Sequence, residues 1–240
     1  MPLVAGMTTF VGLVKSGAQG LQQEALSALK SPRLLLLCNP NNPTGTRLDA
    51  DAICQLAATA PSTLVVVDEL YEAFTGDSVL PQADFSETPN LVVLRSLSKT
   101  AGIAGLRLGI AVGCPAVVDR ISRVTGPYDI NSFAVIAGMA ALQDQAYVDD
   151  YVTEVLKAKA WLVNKLNKHE VRHHSAGGNY LLIWPSQGAA SCEAALRQEG
   201  ILVRSMAGKA LIDGSLRVSI GTSKQMKRFW KAFSAQQGLS

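Results

Sequence analysis

The sequence predicts an α/β protein: a large domain on a mainly parallel sheet, followed by a smaller α+β domain. Three observations lead there. Short apolar runs, unbroken by polar residues, lie at Leu34 to Cys38, Leu64 to Val67, Leu91 to Leu94 and Leu108 to Val112. Runs of that length suggest strands buried on both faces. Helical spacing separates some of them, as in Asp49 to Ala60, and strand-then-helix is the rhythm of a parallel sheet. Near Pro127 the rhythm changes.

Taken in order, the run from Met1 to Gly17 is mildly apolar, lacks a basic leading stretch, and is too short and too broken by Gly and Thr to span a bilayer. A buried strand or helix edge is expected there. After the four apolar runs, Ser132 to about Lys168 reads as long helix, in two pieces around Asp144-Gln145. Val148, Val152, Val155, Leu156, Leu162 and Leu166 recur at three- and four-residue steps and mark one apolar face. His169, His173 and His174 are placed at the end of that helix, as surface residues where a cation complements the helix dipole. Asn179 to Trp184, Ile201 to Arg204 and Leu216 to Ile220 read as strands, with a helix at Ala189 to Glu199. The expected division is a large domain over residues 1–130, a connecting helical region over 131–168 and a small domain over 169–240.

Composition narrows the function classes. Of 240 residues, 48% are hydrophobic and 17% charged, so the chain is globular. The net charge is +3 and no basic run with interleaved aromatics occurs, which argues against nucleic-acid binding. Cys38, Cys54, Cys114 and Cys192 form no C-x-x-C pair, and their spacing suits neither zinc nor a disulfide framework. Free thiols, no metal, and a soluble cytoplasmic protein without a membrane partner are expected.

Three segments carry the chemistry. Asn39-Pro40-Asn41-Asn42-Pro43-Thr44-Gly45 directly follows the first apolar run, and its prolines and Thr-Gly pair constrain a turn. Asp68-Glu69-Leu70-Tyr71 ends the second run. In open parallel sheets ligands gather at the carboxyl ends of strands, so Asp68 is either an acid facing a crevice or a surface cap. Ser96-Leu97-Ser98-Lys99 ends the third run, and Arg107 follows eight residues after the lysine. A partly desolvated lysine near another cation becomes a nucleophile toward carbonyls. Two hydroxyls and a guanidinium beside it suit a phosphate.

In this order the three segments resemble the class I and II aminotransferases of the pyridoxal 5′-phosphate (PLP) fold-type I superfamily, and within them the histidinol-phosphate aminotransferase family. The resemblance runs from about Leu34 to Trp230. It implies that Lys99 carries PLP covalently and moves the catalytic proton. It also implies that Asp68 pairs with the pyridine nitrogen, that Asn42 and Tyr71 hydrogen-bond the ring oxygen, and that Ser96, Ser98 and Arg107 hold the phosphate. In Ser215-Leu216-Arg217-Val218-Ser219-Ile220-Gly221-Thr222, Arg217 matches the clamp on the substrate's acidic group. Arg204 matches a second arginine that helps bind substrate phosphate, with a surface arginine on an edge strand as the open alternative. Gly178-Asn179-Tyr180 matches a strand start. The loop from Gly126 to Ser132 matches a segment near the partner's active site, with Asn131 or Ser132 as helix N-cap.

The resemblance further implies an N-terminally truncated chain, with about a hundred residues of the usual two-domain length preceding Met1 in relatives. That region supplies a Gly-rich phosphate loop, a ring that stacks on the pyridine, and cover for the large-domain core. No Gly-acidic loop is found and Phe10 is the one aromatic candidate. The expected activity is transamination between histidinol phosphate and 2-oxoglutarate in histidine biosynthesis, by a homodimer. The alternatives are an aromatic amino-acid aminotransferase, a threonine-phosphate decarboxylase-like enzyme, and a catalytically silent homologue that acts by binding or association.

Overall fold

The computed structural model describes residues 33–126 and 128–239. The run from Met1 to Gly17, Phe10 within it, and Pro127 lie outside the described residues. The described residues divide into two compact units: residues 33–41 with 46–145, and residues 42–45 with 146–239.

The first unit holds strands β1 (Leu34–Cys38), β2 (Leu64–Asp68), β3 (Leu91–Ser96) and β4 (Gly109–Gly113). Its helices are α1 (Ala50–Thr59), α2 (Pro115–Ser122) and α3 (Ser132–Gln143). The sheet order is β1-β2-β3-β4. The first three strands are parallel, with Cys38 opposite Asp68 and Asp68 opposite Leu94. β4 runs antiparallel to β3, with Ser96 opposite Gly109. No α-helix spans Leu97 to Leu108, and without a helical crossover the chain returns as a hairpin.

Side chains alternate across a strand, and here the alternation sorts the core. Leu35, Val65, Val67, Leu91 and Val93 share one face and pack with Ile53, Leu56 and Ala57 of α1 and with Val79. The opposite face corrects the expectation of strands buried on both sides. Leu36 is 46% exposed and Val66 and Leu94 are half-buried, although Val92 is buried. An unbroken apolar run allows two buried faces, and here α1 packs on one together with Val79.

Helix α3 is apolar all round but buries its small side. Ala134 and Gly138 are buried, while Phe133 (80%) and Ile136 (69%) are open to solvent with Met139 and Leu142. A Cβ on Gly138 would lie 2.3 Å from Leu108 Cδ2, so this glycine permits the close approach. Asn131 is the N-cap and accepts the Ala134 N–H at 2.9 Å.

The second unit contains most of α4 (Gln145–Lys168), together with α5 (Ala189–Gln198) and α6 (Ser223–Gln237). Its strands are β5 (His173–His174), β6 (Tyr180–Ile183), β7 (Arg204–Ser205) and β8 (Leu216–Ser219). The order is β5-β6-β8-β7, and each neighbouring pair is antiparallel. β6 is buried on both faces. Phe229 and Phe233 of α6 are buried, with ring centroids 5.5 Å apart. A Thr222–Gln225 capping box starts α6. Asp144 breaks the long helix where the sequence placed the division. Val148, Val155, Leu162 and Leu166 of α4 are buried, whereas Leu156 is exposed. The described cysteines form no disulfide, and burial pushes the Cys192 thiol up to about 11. Among the described residues no cluster of His, Cys, Asp or Glu could hold a metal, and no helix is long and apolar enough to cross a membrane.

Two further expectations are corrected. His173 and His174 form strand β5 rather than the end of a helix. The helix stops at Lys168, Glu170 takes a left-handed φ of 54°, and the Val171 N–H returns to the Leu166 carbonyl at 2.9 Å. Of Ile201 to Arg204, only Arg204 pairs as strand. The Ile201 N–H closes α5 on the Leu196 carbonyl at 2.9 Å instead.

Lys159 of α4 is buried, although its position reads as ordinary helix surface. Its ammonium donates to the carbonyls of Ala176 and of Gly178, the latter at 2.9 Å. Lys159→Met keeps the length and removes both bonds. It should lower stability by roughly 2–4 kcal/mol, the cost of two stranded carbonyls. Trp161, Trp184 and Trp230 all lie in this unit, so urea unfolding followed by tryptophan fluorescence reads the change directly. An unchanged midpoint would contradict the assignment.

Candidate active site

Parallel pairing in register brings the ends of β1, β2 and β3 to one edge of the sheet, and the three sequence segments start there. The backbone N–H of Asn39 continues the ladder to the Asp68 carbonyl at 2.9 Å, and that of Glu69 to the Leu94 carbonyl at 2.9 Å. Asn39 is buried and clamps its own loop. Its amide accepts the Leu48 N–H at 2.8 Å and donates to the Leu48 carbonyl at 3.2 Å.

Asp68 is the last residue of β2 and is half-buried. Its carboxylate accepts the Leu70 N–H at 3.0 Å. Burial raises its proton affinity above the ordinary aspartate range, and the Leu70 bond opposes the rise. Asp68 faces the same side of the sheet as Leu94, its register partner, and therefore as Ser96 two residues on. Tyr71 is buried at the start of a 3₁₀ turn over Glu72–Phe74. Lys99 lies three residues beyond β3 with its Nζ 5.8 Å from the centre of the Tyr71 ring, within cation–π range. The structure thus brings Lys99 and Tyr71 together beside the strand end that carries Asp68.

Ser96 and Ser98 form a hydroxyl pair 2.8 Å apart, and the Ser98 N–H donates to Ser96 Oγ at 3.1 Å. Ser96 Oγ also lies 3.2 Å from the Leu108 carbonyl, next to Arg107. Arg107 is exposed and has a φ of 59°, a left-handed conformation that costs a non-glycine residue about 1–2 kcal/mol. Its guanidinium donates to the Ala104 carbonyl at 3.2 Å. The connection from β3 to β4 thus carries the Ser96–Ser98 hydroxyl pair, the Lys99 amine and the Arg107 guanidinium.

Asn42, Arg204 and Arg217 belong to the second unit. Asn42 is exposed at the start of the four-residue tip 42–45. That tip is held by unit 2 backbone. Gly177 donates its N–H to the Gly45 carbonyl at 2.8 Å, and His174 Nε2 lies 2.8 Å from the Thr44 carbonyl. Gly45 has a φ of 72°, and a Cβ there would meet the Gly177 carbonyl oxygen at 2.6 Å. Arg217 of β8 stacks its guanidinium 4.4 Å from the centre of the Tyr180 ring on β6. Arg204 is exposed and sits opposite Arg217 in the β7–β8 register.

A charged cluster at the ends of β2 and β3 was not anticipated. The Glu69 carboxylate is fully buried, 2.9 Å from Arg95 Nε, and accepts from the Val79 N–H at 2.7 Å and the Ser78 hydroxyl at 3.0 Å. Arg95 also pairs with Glu72 and donates to Ser78 Oγ at 2.8 Å. Burial pushes the Glu69 carboxyl upward, while the Val79 bond and Arg95 pull it down. The available signal was Arg95 itself, a charge closing an apolar strand on the face that carries Val93.

The donors suit a phosphorylated aromatic aldehyde. Lys99 offers an amine that an aldehyde would take, Asp68 a half-buried carboxyl that would suit a ring nitrogen, and Ser96, Ser98 and Arg107 donors of the kind a phosphate would take.

Comparison with known proteins agrees with that chemistry. Residues 13–233 match the aminotransferase class I and II family. A histidinol-phosphate aminotransferase from Symbiobacterium thermophilum is 37% identical over 215 residues, covering 89% of this chain and 59% of that protein. The chain therefore spans less than two thirds of that relative. The solved L-threonine-O-3-phosphate decarboxylase from Porphyromonas gingivalis superposes with a TM-score of 0.77 at 27% identity, covering 88% of this chain and 66% of that one. A histidinol-phosphate aminotransferase from Sinorhizobium meliloti, solved with PLP, shares the fold with a TM-score of 0.79 at 22% identity, covering 90% of this chain and 61% of that one.

Two outcomes follow from the geometry. A carboxyl with a higher proton affinity folded than unfolded costs stability as pH rises through its folded pKa. Asp68→Asn should therefore raise the melting temperature of the cofactor-free chain at neutral pH, and the gain should vanish below the ordinary aspartate pKa of about 3.9. A gain that persists in acid would contradict the desolvation account. Gly45→Ala should destabilise by roughly 2–3 kcal/mol through its left-handed φ and the carbonyl contact, read from the tryptophan fluorescence of unit 2.

Proposed function

The chain belongs to the class I and II aminotransferases, and from that premise we propose that it is a PLP-dependent transaminase acting on histidinol phosphate and 2-oxoglutarate. The observation that carries the reading is the placement of Lys99 against Tyr71, beside the strand end of Asp68 and the Ser96–Ser98 pair. PLP supplies an electron sink that stabilises negative charge at the substrate α-carbon. The protein supplies the rest. Lys99 would hold the cofactor through Nζ and would move a proton at that same atom. Asp68 would face the ring nitrogen, and its carboxylate would favour the protonated form of that nitrogen. Ser96, Ser98 and Arg107 hold the phosphate, with Tyr71 and Asn42 as partners for the ring oxygen.

In unit 2, stacking on Tyr180 fixes the plane of the Arg217 guanidinium, which favours bidentate binding of a substrate acid. Arg204, opposite it in register, offers a second cation for a substrate phosphate. Likeness to a threonine-phosphate decarboxylase supports a second reading, in which the same groups serve a decarboxylation of an amino-acid phosphate. We place the enzyme in the cytoplasm as a homodimer.

The test is chemical. The purified chain is saturated with PLP, reduced with borohydride and digested. The Lys99 peptide should gain the mass of reduced cofactor, and Lys99→Ala should abolish the gain. Without the adduct the catalytic reading falls, and with the adduct but no amino transfer from glutamate the chain is a binding homologue. Arg204→Ala should lower kcat/KM for histidinol phosphate at least about tenfold, a loss of roughly 1.4 kcal/mol, and spare substrates without a phosphate. An unchanged value would remove the phosphate-substrate assignment.

A further inference from the structure

We propose that Arg95 is a positioning residue, whose guanidinium holds the turn carrying Tyr71 against the strand that leads to Lys99. The segment from Glu69 to Ser78 leaves β2, makes the 3₁₀ turn over Glu72–Phe74, and presents Tyr71 to Lys99. Arg95 engages three side chains along it. Nε lies 2.9 Å from Glu69, Nη1 pairs with Glu72, and Nη2 donates to Ser78 at 2.8 Å. Glu69 adds the Val79 N–H at 2.7 Å, so both ends of the segment close on one carboxylate. Within it, the Glu72 N–H returns to the Glu69 carbonyl and the Phe74 N–H to the Tyr71 carbonyl, each at 3.1 Å. The turn is thus rigid in itself, and Arg95 connects its polar side to β3.

The chemistry favours a positional role. A buried ion pair gives little net stability, because desolvation offsets the attraction, and well-packed apolar residues often do as well. Glu69 and Arg95 extend the sheet face that Leu35, Val65, Val67, Leu91 and Val93 line with apolar side chains within the strands. A charged fork contributes what those cannot, a fixed direction toward several acceptors at once. Lys99 follows Arg95 by four positions, so the side chain that fixes Tyr71 lies on the backbone that delivers the amine.

This inference rests on reading Tyr71 and Lys99 as one site but needs no cofactor, so failure of PLP to label Lys99 would strike the proposed function alone. The cofactor-free chain is labelled with carbon-13 at lysine Cε, and the Lys99 signal is assigned by its loss in Lys99→Ala. The Tyr71 ring current displaces that signal, and Tyr71→Leu sets its undisplaced position. Arg95→Met should move it at least half of the way there, with Arg95→Lys and Glu72→Gln moving it in the same direction by less. Asn90→Ala is the control for general destabilisation. Asn90 donates to the carbonyls of Ala57, Ala60 and Thr63 just before β3 begins, and its loss should leave the Lys99 signal in place. If Arg95→Met does not fold, Arg95→Lys and Glu72→Gln decide. A Lys99 signal unmoved in the folded variants, or moved equally by Asn90→Ala, overturns the proposal.

Discussion

Parallel hydrogen bonding between β1, β2 and β3 is the constraint on which the first unit's site depends. With Cys38 opposite Asp68 and Asp68 opposite Leu94, the three strands end at one edge. A parallel ladder allows no tight hairpin between neighbours, so each strand must release its chain there into a longer connection. The Asn39 and Glu69 N–H groups carry the ladder one residue beyond the strands, which keeps the first loop residues as rigid as the sheet. A chemistry-bearing side chain at this edge is therefore positioned by backbone hydrogen bonds, and its loop is free to vary.

Period-two alternation then divides labour between the faces. Asp68 and Ser96 look to the less covered side, where a ligand has access, while Glu69 and Arg95 look into the core side and tie the connections together. The polar groups at this edge carry costs that a purely structural edge would avoid. Asp68 is desolvated, Glu69 is a fully buried acid, and Arg107 holds a left-handed φ. Such costs cluster where geometry matters more than stability. In the second unit the 42–45 tip has the same character, since Gly45 approaches Gly177 too closely for any side chain.

Much of this was legible in the residues. The four apolar runs became four strands, and Asp144 divided the long helix. The order of NPNNPTG, Asp68-x-x-Tyr71 and Ser96-x-Ser98-Lys99 placed all three segments at strand ends. What was not legible depends on partners distant in sequence. Nothing local tells that α3 turns Ala134 and Gly138 inward and leaves Phe133 outside, because that follows from the nearness of Leu108. The antiparallel return of β4 follows from the lack of a helical crossover. His173 and His174 read as a helix end because the left-handed Glu170, a residue with no turn preference as strong as glycine's, reverses the chain before them. Lys159 is buried because two carbonyls of a loop seventeen and nineteen residues away close on it. Arg95 stood in plain view after an apolar run, but its three partners lie on a loop whose path only the fold determines.

In the proposed site, Lys99 and Asp68 would address one cofactor from adjacent strand ends. The most direct measurement is a crystal structure of the chain grown with PLP. The account predicts continuous density from Lys99 Nζ to the cofactor, with the Asp68 carboxylate within about 2.6–3.2 Å of the ring nitrogen. Cofactor attached to a different lysine, or a ring nitrogen turned away from Asp68, would contradict it.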